Sequence, residues 1–475
     1  MSEALPSEYP NTPRPARAAV SLAPWFAEAR ALIALGAPLA LTQLAQMAMP
    51  TTDLLMIGTL GEEPLAVIAL ANTVYVFIWL LGLGPAAAMS PVIAHIVGAH
   101  PSDRARTRNS LRMGLWAVFL LTPLLGAVLV FSEAILLALG QSPALAAQAA
   151  PYTQLLALSL PFSLGFNVLR NFATALGHAR APLFIVGAAA FLNAFLAYTF
   201  IFGHFGVPRL ELVGAALATT LSQIFMFGVM AAIATFGRDF RSFRIWRRLF
   251  RPDWPRLNEI LRLGLSMGLT LILEVALFLS ATLVIGFFGA SAVAAHQIAM
   301  NVPSLTFMVP LGLAMAATVR VGRAAGAGDS EGVRRAGFTA IFVAMAFMLV
   351  SSLLIASFPR AIAGLYIDVD DPANARATEL AVQFLYVAAA FQVFDGIQVM
   401  AAFALRGLKD THIPMWLAGI SYWLVGFPLA VAFAFVWGLE GFGVWLGLAT
   451  SLAAAALLMT IRFIYLSAPG RPLSE

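Results

Sequence analysis

The chain has 475 residues, 61% of them hydrophobic and only 11% charged, whereas a soluble domain carries about 45–50% apolar and about 25% charged residues. That balance excludes a soluble enzyme. The formal charge is +5 and there is no cysteine, which excludes disulfides, thiolate metal sites and a cysteine nucleophile.

Residues 1–30 are polar and proline-rich and are expected to form a cytoplasmic N-terminal tail, with no apolar core of a secretory signal. Apolar runs broken by glycine, proline and charge then predict six membrane helices over 31–58, 65–98, 111–131, 151–176, 182–202 and 212–236. A basic connector at 237–258 (GRDFRSFRIWRRLFRPDWPRLN) follows, and six more helices are predicted over 259–288, 292–325, 337–358, 379–405, 413–437 and 441–466, with 467–475 as a C-terminal tail. Of the 28 Lys and Arg, all but Arg209, Arg360 and Arg376 fall on the side of the tails, so the positive-inside rule puts both termini in the cytoplasm. The connector reads as a juxtamembrane segment on anionic headgroups and not as a nucleic-acid site.

The halves 31–236 and 259–466 resemble each other at an offset near 229. Gly84 and Gly98 fall opposite Gly312 and Gly326, Gly177 opposite Gly407, and Glu211-x-x-Gly214 opposite Glu440-x-x-Gly443. Six crossings per half is an even number, so the copies share one orientation. The expected fold is an all-α polytopic membrane protein: twelve helices in two six-helix bundles related by a pseudo-two-fold axis along the membrane normal.

Three carboxylates, Asp53, Glu274 and Asp395, lie well inside apolar runs, and no Arg or Lys is expected at comparable depth. An acid at a helix centre costs about 2.5–3.5 kcal/mol on insertion scales and marks a cation or proton path. Two acids confined together need compensation from Na⁺, H⁺ or an organic cation, and if one site serves both ligands, ion entry can displace substrate. Asn193, His296, Gln297 and Asn301 are further polar groups inside spans. No metal-spaced histidine pair, Ser/His/Asp arrangement or phosphate loop occurs, so an enzyme is not expected.

The segments VAAHQIAMNVPSLTFMVPLGLAMAATVRVG (293–322), DGIQVMAAFALRGLKDT (395–411), LILEVALF around Glu274 and TTDLLMIG around Asp53 resemble the multidrug and toxic compound extrusion (MATE) transporters, in their NorM-like branch. The resemblance spans nearly all twelve helices. It implies two bundles around a V-shaped cavity and antiport of Na⁺ or H⁺ against cationic or amphipathic drugs and dyes in a bacterial inner membrane. It makes Glu274 and Asp395 the cation-binding acids of the C-terminal half, able to hold Na⁺, and Asp53 the acid of the N-terminal half. Asn193 and Thr219 match polar positions of helices five and six, while a second helix-five position falls on Ala197, which puts that site's completeness in question and favours Glu274 and Asp395 as the principal coupling site.

The expected function is therefore cation-coupled multidrug efflux, with Na⁺ slightly preferred, by a monomer in lipid that needs no cofactor. The alternative is a lipid-linked saccharide flippase of the same superfamily, which would want Arg or Lys in its cavity. A scaffold without transport would not need three buried acids.

Overall fold

The computed structural model describes residues 22–469. Twelve long helices cross it: α1 (Ala23–Gly58), α2 (Glu62–Ala99), α3 (Arg104–Val130), α4 (Pro143–Ala175), α5 (Arg180–Phe202), α6 (Glu211–Phe236), α7 (Trp254–Gly286), α8 (Ala290–Gly326), α9 (Ser330–Ser357), α10 (Ala375–Gly407), α11 (His412–Val436) and α12 (Glu440–Leu466). At 1.5 Å per residue each exceeds a hydrocarbon layer of about 30 Å. Among the described residues there is no strand. Phe184, Phe191, Leu283 and Leu424 stand exposed, as side chains facing lipid do in a multi-pass membrane protein.

Helix boundaries depart from the apolar runs where capping, not hydrophobicity, sets them. The first helix begins at Ala23 instead of residue 31, with Pro24 in its first turn, where a missing N–H costs nothing. The seventh begins at Trp254 instead of residue 259, because the Asp253 carboxylate accepts from the Arg256 amide at 3.2 Å. Asp103 and Asp329 cap α3 and α9 in the same way, each at 2.8 Å. The tail as expected thus shrinks: 22–30 belong to α1 apart from Leu22, and 1–21 and 470–475 lie outside the described residues.

Helices α1–α6 enclose an apolar core that extends onto Leu257, Ile260 and Met267 of α7, α7–α12 enclose another, and a third apolar cluster, in which Leu32 and Leu39 of α1 meet Leu313, Ala316 and Ala317 of α8, joins the two halves. The joint is built on glycine. A side chain at Gly84 would strike the backbone of Gly264 and Gly268, and one at Gly312 would strike Ala40; Gly36 closes on Leu313 as Gly264 closes on Pro85, and Gly98 on Arg323 as Gly326 on His95. Gly84 on Gly268 and Gly312 on Ala40, Gly264 on Pro85 and Gly36 on Leu313, and Gly98 on Arg323 and Gly326 on His95 are pairs offset by 228 residues, so the joint is itself two-fold symmetric.

All of these contacts lie toward the arginine-rich face. Polar bonds reinforce them there: Arg320 of α8 forms a double hydrogen bond with Glu28 of α1, its Nη2 2.6 Å from Oε2. Arg323 Nη2 donates to the Ala175 carbonyl at 2.6 Å, and His95 Nε2 lies 2.7 Å from the Gly407 carbonyl oxygen. Among the described residues, no glycine contact, ion pair or side-chain hydrogen bond joins the halves at the opposite face. The connector folds under the N-terminal half: Phe240 and Ile245 are buried, Trp116 Nε1 of α3 donates to the Leu249 carbonyl at 2.8 Å, and Arg112 donates to the Arg251 carbonyl.

Candidate ion and substrate sites

In the N-terminal half α1 carries Asp53 into the bundle, where it is 4% exposed. Its Oδ1 accepts from Asn193 Nδ2 of α5 at 2.7 Å and its Oδ2 from Thr219 Oγ1 of α6 at 2.9 Å. Three helices therefore converge on one carboxylate. The Asn193 amide oxygen is buried without a donor, leaving an oxygen that a cation could satisfy. Ala197, one turn along α5, is fully buried and supplies only a methyl group.

The C-terminal half is arranged differently. Glu274 of α7 is half-buried, and Asp395 of α10 is 7% exposed with its Oδ1 buried and unpartnered. The two carboxylates lie within reach of each other's charge, and Glu274 also feels Arg406. Asp395 and Arg406 stand eleven residues apart on α10, about 16 Å at 1.5 Å per residue, and Glu274 feels both a like and an opposite charge.

Helix α11 completes this cluster. It widens into π-helical turns over Ile420–Gly426 and Ala432–Val436, a distortion frequent where a helix serves a site. In the first of these turns the Tyr422 hydroxyl accepts from Gln398 Nε2 at 2.9 Å, and Trp423 Nε1 donates to the carbonyl of Leu273, the neighbour of Glu274, at 3.2 Å.

The remaining candidates stand elsewhere. His296 is buried, with Nε2 2.9 Å from the Thr282 hydroxyl and its ring edge-on to Trp445. Gln297 and Asn301 are exposed, and Asn301 Nδ2 donates to the Gln297 carbonyl at 2.9 Å. These three form no hydrogen bond with Asp53, Glu274 or Asp395.

Two bases that the sequence assigns to water-facing helix ends are buried instead. Arg170 of α4 and Arg406 of α10 are 5% and 8% exposed and line one cavity between the halves. Each lies near the end of its helix, which in sequence reads as contact with water. The joint covers those ends instead. Asn167 and Asn171, flanking Arg170 on α4, were the polar pattern that could have signalled a buried basic site.

The MatE family profile matches residues 38–199 and again 267–432, once in each half. The chain belongs to the MATE family of transporters. It is 45% identical, over 93% of its length and 94% of the relative's, to a probable multidrug resistance protein NorM of Mesorhizobium japonicum. It is 43% identical to the protein so named in Burkholderia mallei, over 90% and 91% of the two chains. Among solved structures, the eukaryotic MATE transporter AtDTX14 superposes with a TM-score of 0.81 at 20% identity, over 93% and 96% of the two chains. A MOP superfamily transporter from Pyrococcus furiosus superposes at 0.83 and 22% identity, with the same coverage. These likenesses confirm the two-lobed twelve-helix fold, and the two halves are hereafter its lobes.

Proposed function

We propose that this MATE transporter exports cationic or amphipathic organic compounds from the bacterial cytoplasm in exchange for Na⁺ or H⁺, as the NorM name of its relatives suggests. The arginine-rich face is then cytoplasmic, and lobes joined at that face and unbonded at the other correspond to an outward-facing state. The observation that carries the reading is the pair Glu274 and Asp395, which share a charge field, with no hydrogen-bond donor to either carboxylate among the described residues and Asp395 Oδ1 buried unpartnered. A Na⁺, a proton or a substrate cation supplies the missing compensation, and occupancy by one excludes another, which is the requirement for exchange. Asp53 with Asn193 and Thr219 offers a second cation site in the other lobe.

The test is dye efflux from proteoliposomes with Na⁺ and pH gradients imposed separately, for wild type and for Glu274→Gln. Dye movement driven by one gradient and absent in the variant names the ion and supports antiport. An inert wild type under both gradients, in preparations that still bind dye, would remove the reading. The flippase alternative regains ground through Arg170 and Arg406, and lipid-linked saccharides are the substrates to assay in that event.

A further inference from the structure

We propose that Arg170 and Arg406 form an anion subsite in the joint between the lobes, taking the carboxylate of an amphipathic aromatic acid. The cavity they line holds about 230 Å³, room for one end of an organic molecule. Its walls come from both lobes and are mostly apolar: Trp79 and Leu83 of α2 face Leu271 of α7 and Met315 of α8. An aromatic ring is matched by these walls, and the guanidinium groups stand where its acidic end would lie.

Neither arginine is neutralised. Arg170 Nη1 donates to the side-chain oxygens of Gln43 and Gln46, at 3.1 and 3.0 Å, both neutral acceptors, and its Nε is buried with no partner. Arg406 rests its guanidinium carbon 4.1 Å from the centroid of the Phe403 ring. Among the described residues, no carboxylate lies within 4 Å of either group. A buried guanidinium is stable only with a counter-charge or a full set of acceptors, and its planar donors match a carboxylate in bidentate geometry. Among the described residues, Glu274 is the carboxylate whose charge reaches Arg406, and no ion pair joins the two.

The subsite does not depend on the coupling ion or on antiport, so it is tested by equilibrium binding without a gradient. The full chain in neutral-lipid nanodiscs is titrated with dansylglycine, which carries a carboxylate, and with dansylglycinamide, which has the same ring and no charge. Wild type is expected to bind the acid more tightly. Arg406→Gln should weaken the acid about tenfold or more and the amide less than about twofold, since hydrogen bonds to charged groups contribute about 1.5–3 kcal/mol. Arg406→Lys should restore part of the difference, and Arg170→Gln should follow the same pattern. Displacement of dansylglycine by phosphatidylglycerol added to the nanodiscs would support the anion subsite and identify a lipid phosphate as a source. Equal binding of acid and amide by wild type, or equal weakening of both in Arg406→Gln, would overturn it.

Discussion

The two lobes share a scaffold and differ in what they place inside it. At their joint the correspondence is close, with Gly36, Gly84 and Gly98 matched by Gly264, Gly312 and Gly326 at an offset of 228 residues and their close approaches paired. The same offset sets Glu274 of α7 opposite Gln46 of α1, an acid against its amide. Gln46 accepts from Arg170, while Glu274 shares its charge field with Asp395 and Arg406. Asp53, opposite Ala281, is the N-terminal lobe's own acid and is satisfied by two donors. Backbone contacts constrain a joint that must close, whereas side chains within each bundle are free to diverge, so one duplicated frame carries a saturated carboxylate in one lobe and an unsaturated pair in the other.

The sharpest way to break that contrast is to neutralise the unsaturated pair. Asp395→Asn should reduce ion-driven dye efflux to the level of empty liposomes while the protein still purifies as a single species, because an amide keeps the shape and removes the charge. Normal efflux in this variant would mean that the C-terminal pair is not where coupling occurs.

Next in size is the joint. Gly312→Val inserts a side chain where the Ala40 backbone lies, and two packed backbones have no flexible group to yield. The lobes should then fail to meet at the arginine-rich face, with transport lost and melting temperature lowered. Gly126→Val, at a position with open space around it, should leave both unchanged. If the two variants behave alike, the joint is not the constraint that its symmetry indicates.

A smaller effect is expected at the saturated site. Thr219→Val removes one of two donors to the Asp53 carboxylate and keeps the side-chain volume, at a cost of about 1–3 kcal/mol for the buried group left short. Thermal unfolding in Na⁺-free buffer should show that loss. If a cation also binds here, added Na⁺ should stabilise wild type more than the variant, and an identical Na⁺ response would assign Asp53 a structural role.

Much of this arrangement was legible in the sequence, for identifiable reasons. Twelve helices and their duplication follow from hydropathy and from repeated glycines, because a lipid-exposed backbone must bond to itself within each span. Asp53, Glu274 and Asp395 stood out since a charge in an apolar run has few innocent explanations. Glu28 did not, because a residue three positions before an apolar run is indistinguishable from tail until α8 brings Arg320 to it. Arg170 and Arg406 were hidden by the same limitation: charge counting assigns a helix end to water, and only the packing of the second lobe shows that these ends are covered. Tyr422 and Trp423 depend on π-helical turns that rotate them toward α7 and α10, and no residue pattern in α11 announces those turns.

Glu28 leads to a prediction that reports on the lobes' balance and not on their integrity. Its ion pair with Arg320 is part of what holds α1 to α8, and removing one partner of a largely buried pair leaves the other uncompensated. Because the chain has no cysteine, spin labels can be placed at Leu55→Cys in α1 and Leu283→Cys in α7, both exposed. Glu28→Gln should broaden the distance distribution between them toward a second population, with the melting temperature only slightly lowered. An unchanged distribution would mean that the glycine joint alone sets the state.

The smallest effect belongs to the connector that links the two lobes in sequence. Arg247 and Arg248 are exposed and, among the described residues, make no ion pair. The segment is held instead by Phe240 against Phe172, by buried Ile245 and by the bond from Trp116 to Leu249. Exposed charges without partners contribute little to stability. Arg247→Gln with Arg248→Gln should therefore leave efflux and melting temperature near wild type, with at most a weaker dependence on anionic lipid content. Trp116→Phe, which strips the carbonyl of Leu249 of its donor, should lower the melting temperature measurably. If the double arginine variant instead lost efflux while the Trp116 variant kept it, the link between the lobes, and not the difference between their interiors, would be what sets coupling.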